Sequence, residues 1–285
     1  MSVVSSSARR RAPDQEKDQE KEPSPTRTKL EAPAREVGSI ASFSIQAVRY
    51  APSSLRYFAE VLRQISLLIT GSLVVLVLLV ALIGGECGLF FVYLTRPLGG
   101  TDFTGFFEVP CGIRELYPYM FGYIFAAKVG CGLVAEIGSM RISDEIDGLE
   151  SIGIDPMRYV IGTRLVAVVM FVPLAFIIAT IGGIIGGWLV AVVQIGELTG
   201  ARYFQGYWDS QGLTDTFISL VKTMTMAIGI ALVGMYYGFK ARGGPVQVGN
   251  AVARSMILNL ILIHASGAFW SAVFFGGGAK YPLGG

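Results

Sequence analysis

Five long apolar stretches restrict how this chain can fold more than any other feature. They lie near residues 66–94, 114–135, 159–192, 214–238 and 251–275. A helix needs roughly 20 apolar residues to cross the hydrocarbon core of a bilayer. Only helices and closed barrels satisfy all their backbone hydrogen bonds in lipid, and continuous apolar runs of this length are typical of helices. The sequence therefore predicts an all-α integral membrane protein with five transmembrane helices.

Composition narrows the class of protein further. Hydrophobic residues make up 52% of the 285 residues and charged residues only 15%, with 36 glycines. Such a chain is too apolar for a soluble domain, and glycine-rich apolar runs are typical of closely packed membrane helices. The net charge of +2 gives no broad basic surface that would bind nucleic acid. We expect one membrane domain over 65–278, with a short extracytoplasmic tail at 279–285.

The N-terminal segment, residues 1–36, has a different composition. It combines three consecutive arginines, Arg9 to Arg11, with the run DQEKDQEKEP and almost no aliphatic side chains. This composition predicts a disordered, charged cytoplasmic tail. No apolar segment and no small-residue cleavage site follow the arginines, so a signal peptide is not expected.

Residues 37–64 predict an amphipathic helix. Charged residues, among them Arg56, Glu60 and Arg63, lie mostly off an apolar stripe with helical spacing. The stripe comprises Ile40, Phe43, Ala47, Tyr50, Leu55, Phe58, Leu62 and Ile65. A helix lying in the membrane interface fits this pattern, and an amphipathic helix docked on protein is the alternative.

Basic residues near the ends of the stretches predict the orientation. One side has Arg49, Arg56, Arg63, Arg141, Arg158, Arg164, Lys240, Arg242 and Arg254. The other side has Arg96, Arg114, Arg202 and Lys280. Cytoplasmic flanks carry the excess of lysine and arginine. We therefore expect a multi-pass cell-membrane protein with its N-terminus in the cytoplasm and its C-terminus outside.

The polar segment 136–158 lies between the second and third stretches and carries three aspartates and three glutamates. Ile142, Ile146 and Leu149 form an apolar face, Gly153 suits a helix C-cap and Pro156 blocks continuation. The pattern predicts a helix over about 137–153. An amphipathic acidic helix on a cytoplasmic loop is suited to dock into a groove of a soluble partner.

Small residues within the apolar stretches predict packing rather than chemistry. The third stretch contains two overlapping G-x-x-x-G pairs formed by Gly182, Gly183, Gly186 and Gly187, and small residues four apart let helix backbones approach closely. The cysteines Cys87, Cys111 and Cys131 are odd in number, and two of them lie in apolar spans. We expect them to be small buried apolar residues rather than a disulfide framework.

Signals for catalysis and cofactors are weak. No G-x-x-x-x-G-K followed by Ser or Thr occurs in the sequence, so any ATP hydrolysis belongs to a partner and the chain is not expected to be an enzyme. The single histidine, His264, has no cysteine at ligand spacing. We expect it to be a hydrogen-bonded interior residue, and we expect no metal and no cofactor.

Three stretches of sequence resemble one family. The run KVGCGLVAEIGSMRISDEIDGLESIGIDPMRYVIGTRLVA, Lys128 to Ala167, resembles the signature of the MlaE/YrbE permeases, the membrane subunits of MCE-type lipid-transporting ABC systems. The run RELYP, 114–118, is similar to the family's R-E-x-x-P entry to the second span, and GGPVQVG, 243–249, resembles its G-G-x-x-x-V-G loop. The match runs in order from about residue 55 to 275. The V-G-C-G and M-R-I-S-D-E-I-D stretches are most similar to the paired actinobacterial members.

The resemblance implies an interfacial helix, five transmembrane helices and a cytoplasmic coupling helix. It implies a cytoplasmic ABC ATPase dimer, a second YrbE-like permease, expected to be a paralogue, and extracytoplasmic MCE proteins as partners. The expected substrate is a hydrophobic lipid of the sterol, fatty-acid or mycolic-acid class, and import is the expected direction. The expected ATPase-coupling residues are Glu136, Arg141, Asp144, Glu145, Asp147 and Glu150.

Two charged residues inside the apolar stretches are the candidate substrate pathway, Glu86 and Lys128. An unpaired carboxylate in lipid costs roughly 2.5 to 3.5 kcal/mol, so Glu86 should be neutral, paired or facing a polar cavity. A helix-end residue that reaches the lipid headgroups is the alternative. A second function stays open, an ion-coupled secondary transporter of a small amphiphile that uses Glu86, Lys128, Lys222 and His264 and needs no ATPase.

Overall fold

The computed structural model describes the backbone of residues 25–275 and the side chains of residues 35–274. Eleven α-helices and no strand occur in this part of the chain, which confirms the predicted all-α class. The helices are α1 (Pro25–Ser54), α2 (Phe58–Leu68), α3 (Val74–Thr95), α4 (Thr104–Glu108), α5 (Tyr117–Phe125), α6 (Cys131–Ile142), α7 (Glu145–Ser151), α8 (Thr163–Trp188), α9 (Gly200–Ser210), α10 (Leu213–Phe239) and α11 (Pro245–Phe275). Short 3-10 and π-helical turns join several of them.

Five helical stretches of the described chain are long and apolar enough to cross a membrane, by length and composition. They are Arg35–Leu98, Thr101–Ile142, Met157–Gln194, Leu213–Phe239 and Pro245–Phe274. Their number and order confirm the five predicted spans. The fifth begins at Pro245 rather than near residue 251, because proline lacks a backbone N–H and is suited to the first turn of a helix.

The N-terminal region differs from its prediction. The backbone is helical from Pro25, although a tail was predicted through residue 36, and the rest of that tail lies outside the described residues. The helix predicted over 37–64 is two helices, separated by a 3-10 turn that follows Pro52. Proline removes a helix donor, and the hydroxyl of Ser53 donates to the carbonyl of Tyr50 at 2.7 Å, which favours a break. Residues after Ala41 form one compact unit.

The first and third spans pack closely through glycines of α3 and α8. A Cβ atom on Gly84 would lie 1.9 Å from the carbonyl oxygen of Gly183, and one on Gly186 would lie 1.9 Å from that of Ala81. No side chain fits at these distances. The prediction that the G-x-x-x-G pairs serve helix packing is confirmed.

A disulfide joins Cys87 on α3 to Cys111 in the π-helical segment that precedes α5. The expectation that these cysteines are unpaired is therefore wrong for both, whereas Cys131 is free and half-buried. The two half-cystines are 24 residues apart in sequence and lie on different helices. Only the tertiary contact between those helices brings them together.

Two short helices had no clear sequence signal, α4 at the start of the second span and α9 between the third and fourth spans. The hydroxyl of Thr199 caps α9 by accepting from the backbone N–H of Arg202 at 3.4 Å. Tyr203 and Tyr207, one turn apart, bury the inner face of α9. A Cβ atom on Gly105 of α4 would lie 2.0 Å from the carbonyl oxygen of Tyr203, so α9 lies directly on the backbone of α4.

Candidate functional site

The acidic segment between the second and third spans is two helices rather than the single helix predicted over about 137–153. Helix α6 continues from the second span to Ile142, and α7 begins at Glu145. Between them Asp144 has a left-handed φ of 59°, and the Ser143 hydroxyl donates to a carbonyl one turn back at 3.0 Å. A helical sequence pattern does not show such a break, because serine and aspartate also occur within helices.

Helix α7 presents its acidic residues to solvent. Ile146 is fully buried and anchors the helix, while Leu149 is half-buried. Four acidic side chains at or on α7 are exposed, those of Asp144, Glu145, Asp147 and Glu150. The structure thus brings these predicted coupling residues together on one short helix.

The other two predicted coupling residues lie on α6 and pair within the chain. The Arg141 guanidinium lies 2.5 Å from the Asp147 carboxylate and fastens α7 to α6. Glu136 accepts from Arg164 of α8 at 2.6 Å. The Arg164 side chain is only 6% exposed. Sequence reasoning used Arg164 only for orientation, and its place at the start of a long apolar helix gave no sign of this pairing.

Two grooves flank α7. The α2-side groove has a volume of about 700 Å³ and lies between α2, α6, α7 and the start of α8. Its walls include Glu60, Gln64, Glu136, Glu145, Leu149 and Arg164. The loop-side groove, of about 400 Å³, is lined by Arg141, Asp147, Arg242, Gly243 and Pro245. Helix α7 is therefore a ridge between two depressions.

A second polar site, the Lys222 cluster, consists of Glu115, Lys222 and Ser271. The Lys222 ammonium is buried and donates to the Glu115 carboxylate at 2.7 Å, to the Ser271 hydroxyl at 2.9 Å and to the carbonyl of Arg114 at 3.2 Å. It also lies 4.7 Å from the centre of the Tyr119 ring. All three ammonium protons have acceptors, which is how a buried cation is tolerated within membrane helices.

Neighbouring residues hold the π-helical segment before α5 against α10. Arg114 pairs with Asp215, near the start of α10, at 2.9 Å. Its neighbour Glu115 pairs with Lys222, two turns further along the same helix. Ser271 of α11 also donates to Glu115 at 2.8 Å. Sequence reasoning used Lys222 only in the ion-relay alternative and missed Glu115 as a site residue.

An apolar cavity, the phenylalanine groove, adjoins this cluster. It has a volume of about 450 Å³ and is lined by Phe90, Phe91, Phe107, Pro110, Cys111, Glu115 and Leu116. Phe91 and Phe107 stack with their ring centres 4.7 Å apart. The groove is thus apolar with a carboxylate on its wall, and the disulfide forms part of that wall.

Glu86 and Lys128 are not brought together. Glu86 is exposed beside Cys87 of the disulfide and lies one turn from Phe90 on the same helix face. Lys128 is also exposed, but it lies roughly 20–25 Å from Cys111 along the helical path at about 1.5 Å per residue. Neither side chain has a hydrogen bond or an ion pair within the described part of the chain.

His264 is hydrogen-bonded, as predicted, but it is exposed rather than interior. It bonds to the Tyr123 hydroxyl at 2.9 Å and the Leu260 carbonyl at 2.8 Å. Its ring centre lies 6.0 Å from that of Tyr119, which Lys222 also contacts. The four residues of the ion-relay alternative do not form one connected path, and the described residues contain no group of three or more His, Cys, Asp or Glu that could hold a metal.

A buried cluster of one carboxyl group and three tyrosines lies where α9 packs on the helices beneath it. Glu108 is fully buried and accepts a hydrogen bond from the Tyr117 hydroxyl. Burial, and then the nearby Glu108, raise the pKa of Tyr203, and the same two causes raise the pKa of Tyr207. A Cβ atom on Gly187 would lie 2.4 Å from the Tyr203 hydroxyl. This cluster is structural, because none of these four side chains is open to solvent.

Comparison with known proteins identifies relatives of the whole membrane domain. The family described as permease MlaE matches residues 61–273. A probable ABC transporter permease of Rickettsia conorii is 27% identical over 247 residues, covering 85% of this chain and 93% of its own length. The MlaE permease of an intermembrane phospholipid transport system in Haemophilus influenzae is 25% identical over 227 residues, covering 80% of this chain and 87% of its own.

Proposed function

Because this chain belongs to the MlaE permease family, we propose that it is the membrane-spanning subunit of an ATP-driven transporter that moves hydrophobic lipids. The observation that carries the proposal is the exposed acidic helix α7, anchored by one buried isoleucine, Ile146, on the end of the second span. Three of the four exposed carboxylates, those of Asp144, Glu145 and Glu150, make no ion pair among the described residues and contribute little to folding, whereas Asp147 holds α7 to α6. They are suited to a protein partner.

We propose that this partner is a cytoplasmic ABC ATPase dimer and that α7 is the coupling helix. The sequence has no phosphate-binding loop of the G-x-x-x-x-G-K type, so the energy of ATP must come from another subunit. The pair between Arg141 and Asp147 supports the proposal, because it ties α7 to the second span and lets a movement of the ATPase reach that span.

The outer half of the structure suggests where a lipid is held. The phenylalanine groove offers an apolar surface to an acyl chain or sterol ring, and the partly exposed Glu115 lies on its wall. An amphiphile placed there has its apolar part on the phenylalanine rings and its polar group near the Lys222 cluster. Glu86, one turn from Phe90, extends this surface towards the cytoplasm.

We propose that a second permease, a paralogue of this chain, covers part of the membrane-facing surface. Glu86, Lys128 and His264 are exposed within helices that cross the membrane. Polar groups at such positions are costly against lipid and usually face other helices or a polar cavity. A pair of permeases encloses such groups and creates a shared path for the lipid.

The outward side of the pair would then hand lipids to or receive them from extracytoplasmic MCE proteins, and we propose import. The basic residues support a cytoplasmic N-terminus and an extracytoplasmic C-terminus. The disulfide at the outer half of the first span agrees with this orientation, since disulfides persist on the oxidising side of a membrane. Single cysteines placed at Ser39 and Lys280 in a cysteine-free background should label from opposite sides, and labelling of both from outside would contradict the topology.

The coupling role is tested by reversing the charge of α7. The double variant Asp144→Lys, Glu145→Lys should insert and fold normally, because both side chains are exposed, but should lose the ATPase. ATPase co-purification and lipid-dependent ATP hydrolysis are measured at equal permease levels, with Asp102→Lys, an exposed acidic residue at the start of the second span, as the matched control. Wild-type values for both measurements would refute the coupling role. Transport that persists without any ATPase would favour the ion-coupled alternative.

A further inference from the structure

We propose that the α2-side groove receives a segment of the ATPase subunit that carries a lysine or arginine side chain. Helix α2 would then take part in ATPase docking beside α7. The inference rests on the proposed function, and it adds a contact that the acidic helix by itself does not predict. Three features of the groove support it, namely its shape, its charge and one buried donor.

The shape of the groove suits a peptide segment. Its volume of about 700 Å³ is within the range of pockets that hold a ligand of several side chains, roughly 300–1,000 Å³. One rim is apolar, since Ile152 is 70% exposed and Leu149 is half-buried. Because the groove runs along one flank of the α7 ridge, a partner cleft that straddles α7 must place one of its edges there.

The charge of the groove favours a cation. Three helices each contribute one carboxylate, from Glu60, Glu136 and Glu145. The two guanidinium groups on the walls are already paired, Arg63 with Glu60 at 3.4 Å and Arg164 with Glu136 at 2.6 Å. One negative charge is therefore in excess, which disfavours an anionic lipid headgroup and favours a basic side chain.

A buried donor points to a peptide rather than to a free cation. Arg164 is more than nine-tenths buried and lines the groove, and its Nε–H has no acceptor among the described residues. A buried donor without a partner costs about 1–3 kcal/mol. The Nε atom is itself enclosed, so a peptide backbone carbonyl becomes its acceptor when the Arg164 side chain turns towards the groove, while the basic side chain of the same segment meets the carboxylates. A small amine or a metal ion supplies no acceptor.

Photo-cross-linking of the intact complex tests the location. A photoreactive amino acid at position 63, on the groove wall, should form a covalent adduct with the ATPase, and mass spectrometry should place the adduct beside a lysine or arginine. The matched control is position 62, the next residue of α2, where Leu62 is exposed on the apolar face. Position 150 on α7 reports ATPase docking in general.

The outcomes separate the two proposals. An ATPase adduct from positions 63 and 150 but not from 62 supports the groove contact. An adduct from position 150 alone, or an adduct of position 63 with lipid or with the second permease, overturns the groove proposal and leaves α7 as the coupling helix. If neither position gives an ATPase adduct and the α7 charge reversal has no effect, the proposed function itself fails.

Charge substitution provides an independent measurement. Glu60→Lys should lower the ATPase retained on the permease roughly five-fold, the effect of one lost ion pair near a surface. Asp209→Lys, an exposed residue of α9, should leave it unchanged. Gel filtration confirms that both variants are folded. Equal retention in Glu60→Lys and wild type would overturn the contact even if the variant folds normally.

Discussion

Helix α7 and the Lys222 cluster both concentrate charge, but in opposite ways. The carboxylates of α7 are exposed on a helix that one buried residue, Ile146, anchors. The Lys222 ammonium is 1% exposed, and its three protons go to three different acceptors. Exposed charges are available to a partner and cost little to change, whereas a buried and fully paired charge fixes three helices together. The comparison predicts that substitutions in the Lys222 cluster affect stability and those on α7 affect assembly.

The largest expected loss of stability comes from the glycine contact of α3 and α8. Gly186→Val places a side chain where a Cβ atom would lie 1.9 Å from the backbone of Ala81, and overpacking of this kind costs on the order of 3 kcal/mol or more. The loss of stability is measured by the yield of monodisperse protein in detergent and by the midpoint of thermal unfolding. The matched control is Gly132→Val, where the Cβ atom meets nothing within 4 Å; similar losses in both variants would contradict the packing account.

Removal of the disulfide should have the next largest effect. The double variant Cys87→Ser, Cys111→Ser should lose up to about 3 kcal/mol, because a cross-link over 24 residues restricts the unfolded chain. The measurement is thermal unfolding of the oxidised proteins. The matched control is Cys131→Ser, which removes the free cysteine and leaves the disulfide in place. A thiol assay on the oxidised wild type should detect one cysteine. Detection of three would show that the disulfide does not form.

Lys222→Met should lower the free energy of unfolding by about 2 kcal/mol. The loss is smaller than for a fully buried ion pair, because the Glu115 side chain is 37% exposed and water partly replaces the ammonium. Lipid transport should fall as well. The second change Glu115→Gln should restore part of the stability, since it removes the carboxylate left without a partner. A double-mutant cycle in thermal unfolding measures this coupling, and strictly additive losses would show that the pair is not coupled.

Glu86→Gln sharpens the comparison, because Glu86 lies within an apolar span, as Lys222 does, but is exposed. The free energy of unfolding of this variant should stay within about 0.5 kcal/mol of wild type. Lipid transport should fall, although the complex still assembles. Transport into vesicles that contain the purified complex is the measurement. Unchanged transport would favour the alternative in which Glu86 reaches the lipid headgroups.

The smallest change in stability is expected for the α7 double variant, Asp144→Lys with Glu145→Lys. The free energy of unfolding of the isolated permease, measured by thermal unfolding, should change by about 0.5 kcal/mol or less. In the complex, the same variant should no longer retain the ATPase. A large loss of stability there would break the comparison, because it would mean that α7 contributes to the fold and not to assembly alone.

The sequence was sufficient wherever a local pattern carries the information. Long apolar runs predicted five spans in the correct order, and the acidic segment predicted exposed carboxylates from Asp144 to Glu150. Gly153 was expected to end a helix, and its φ of +81° is that of such a residue. These predictions depend on neighbours within a few turns, where the helical period decides which side chains share a face.

Contacts between residues distant along the chain could not be predicted from the sequence. The Cys87–Cys111 disulfide, the pairing of Glu115 with Lys222 and the burial of Glu108 beneath α9 each join elements that lie far apart along the chain. The break at Asp144 was also missed, since a single left-handed residue leaves the helical period of its surroundings intact. No local pattern reports which helices become neighbours.

The sequence by itself determined the class of protein, the number of spans and the charge of the acidic segment between the second and third spans, because the cost of placing polar groups in lipid acts on each residue separately. The tertiary structure decided which charges are paired and which are free, and it formed the two grooves beside α7. Those properties depend on how the helices pack, and that packing is fixed by close contacts such as the one between Gly84 and Gly183.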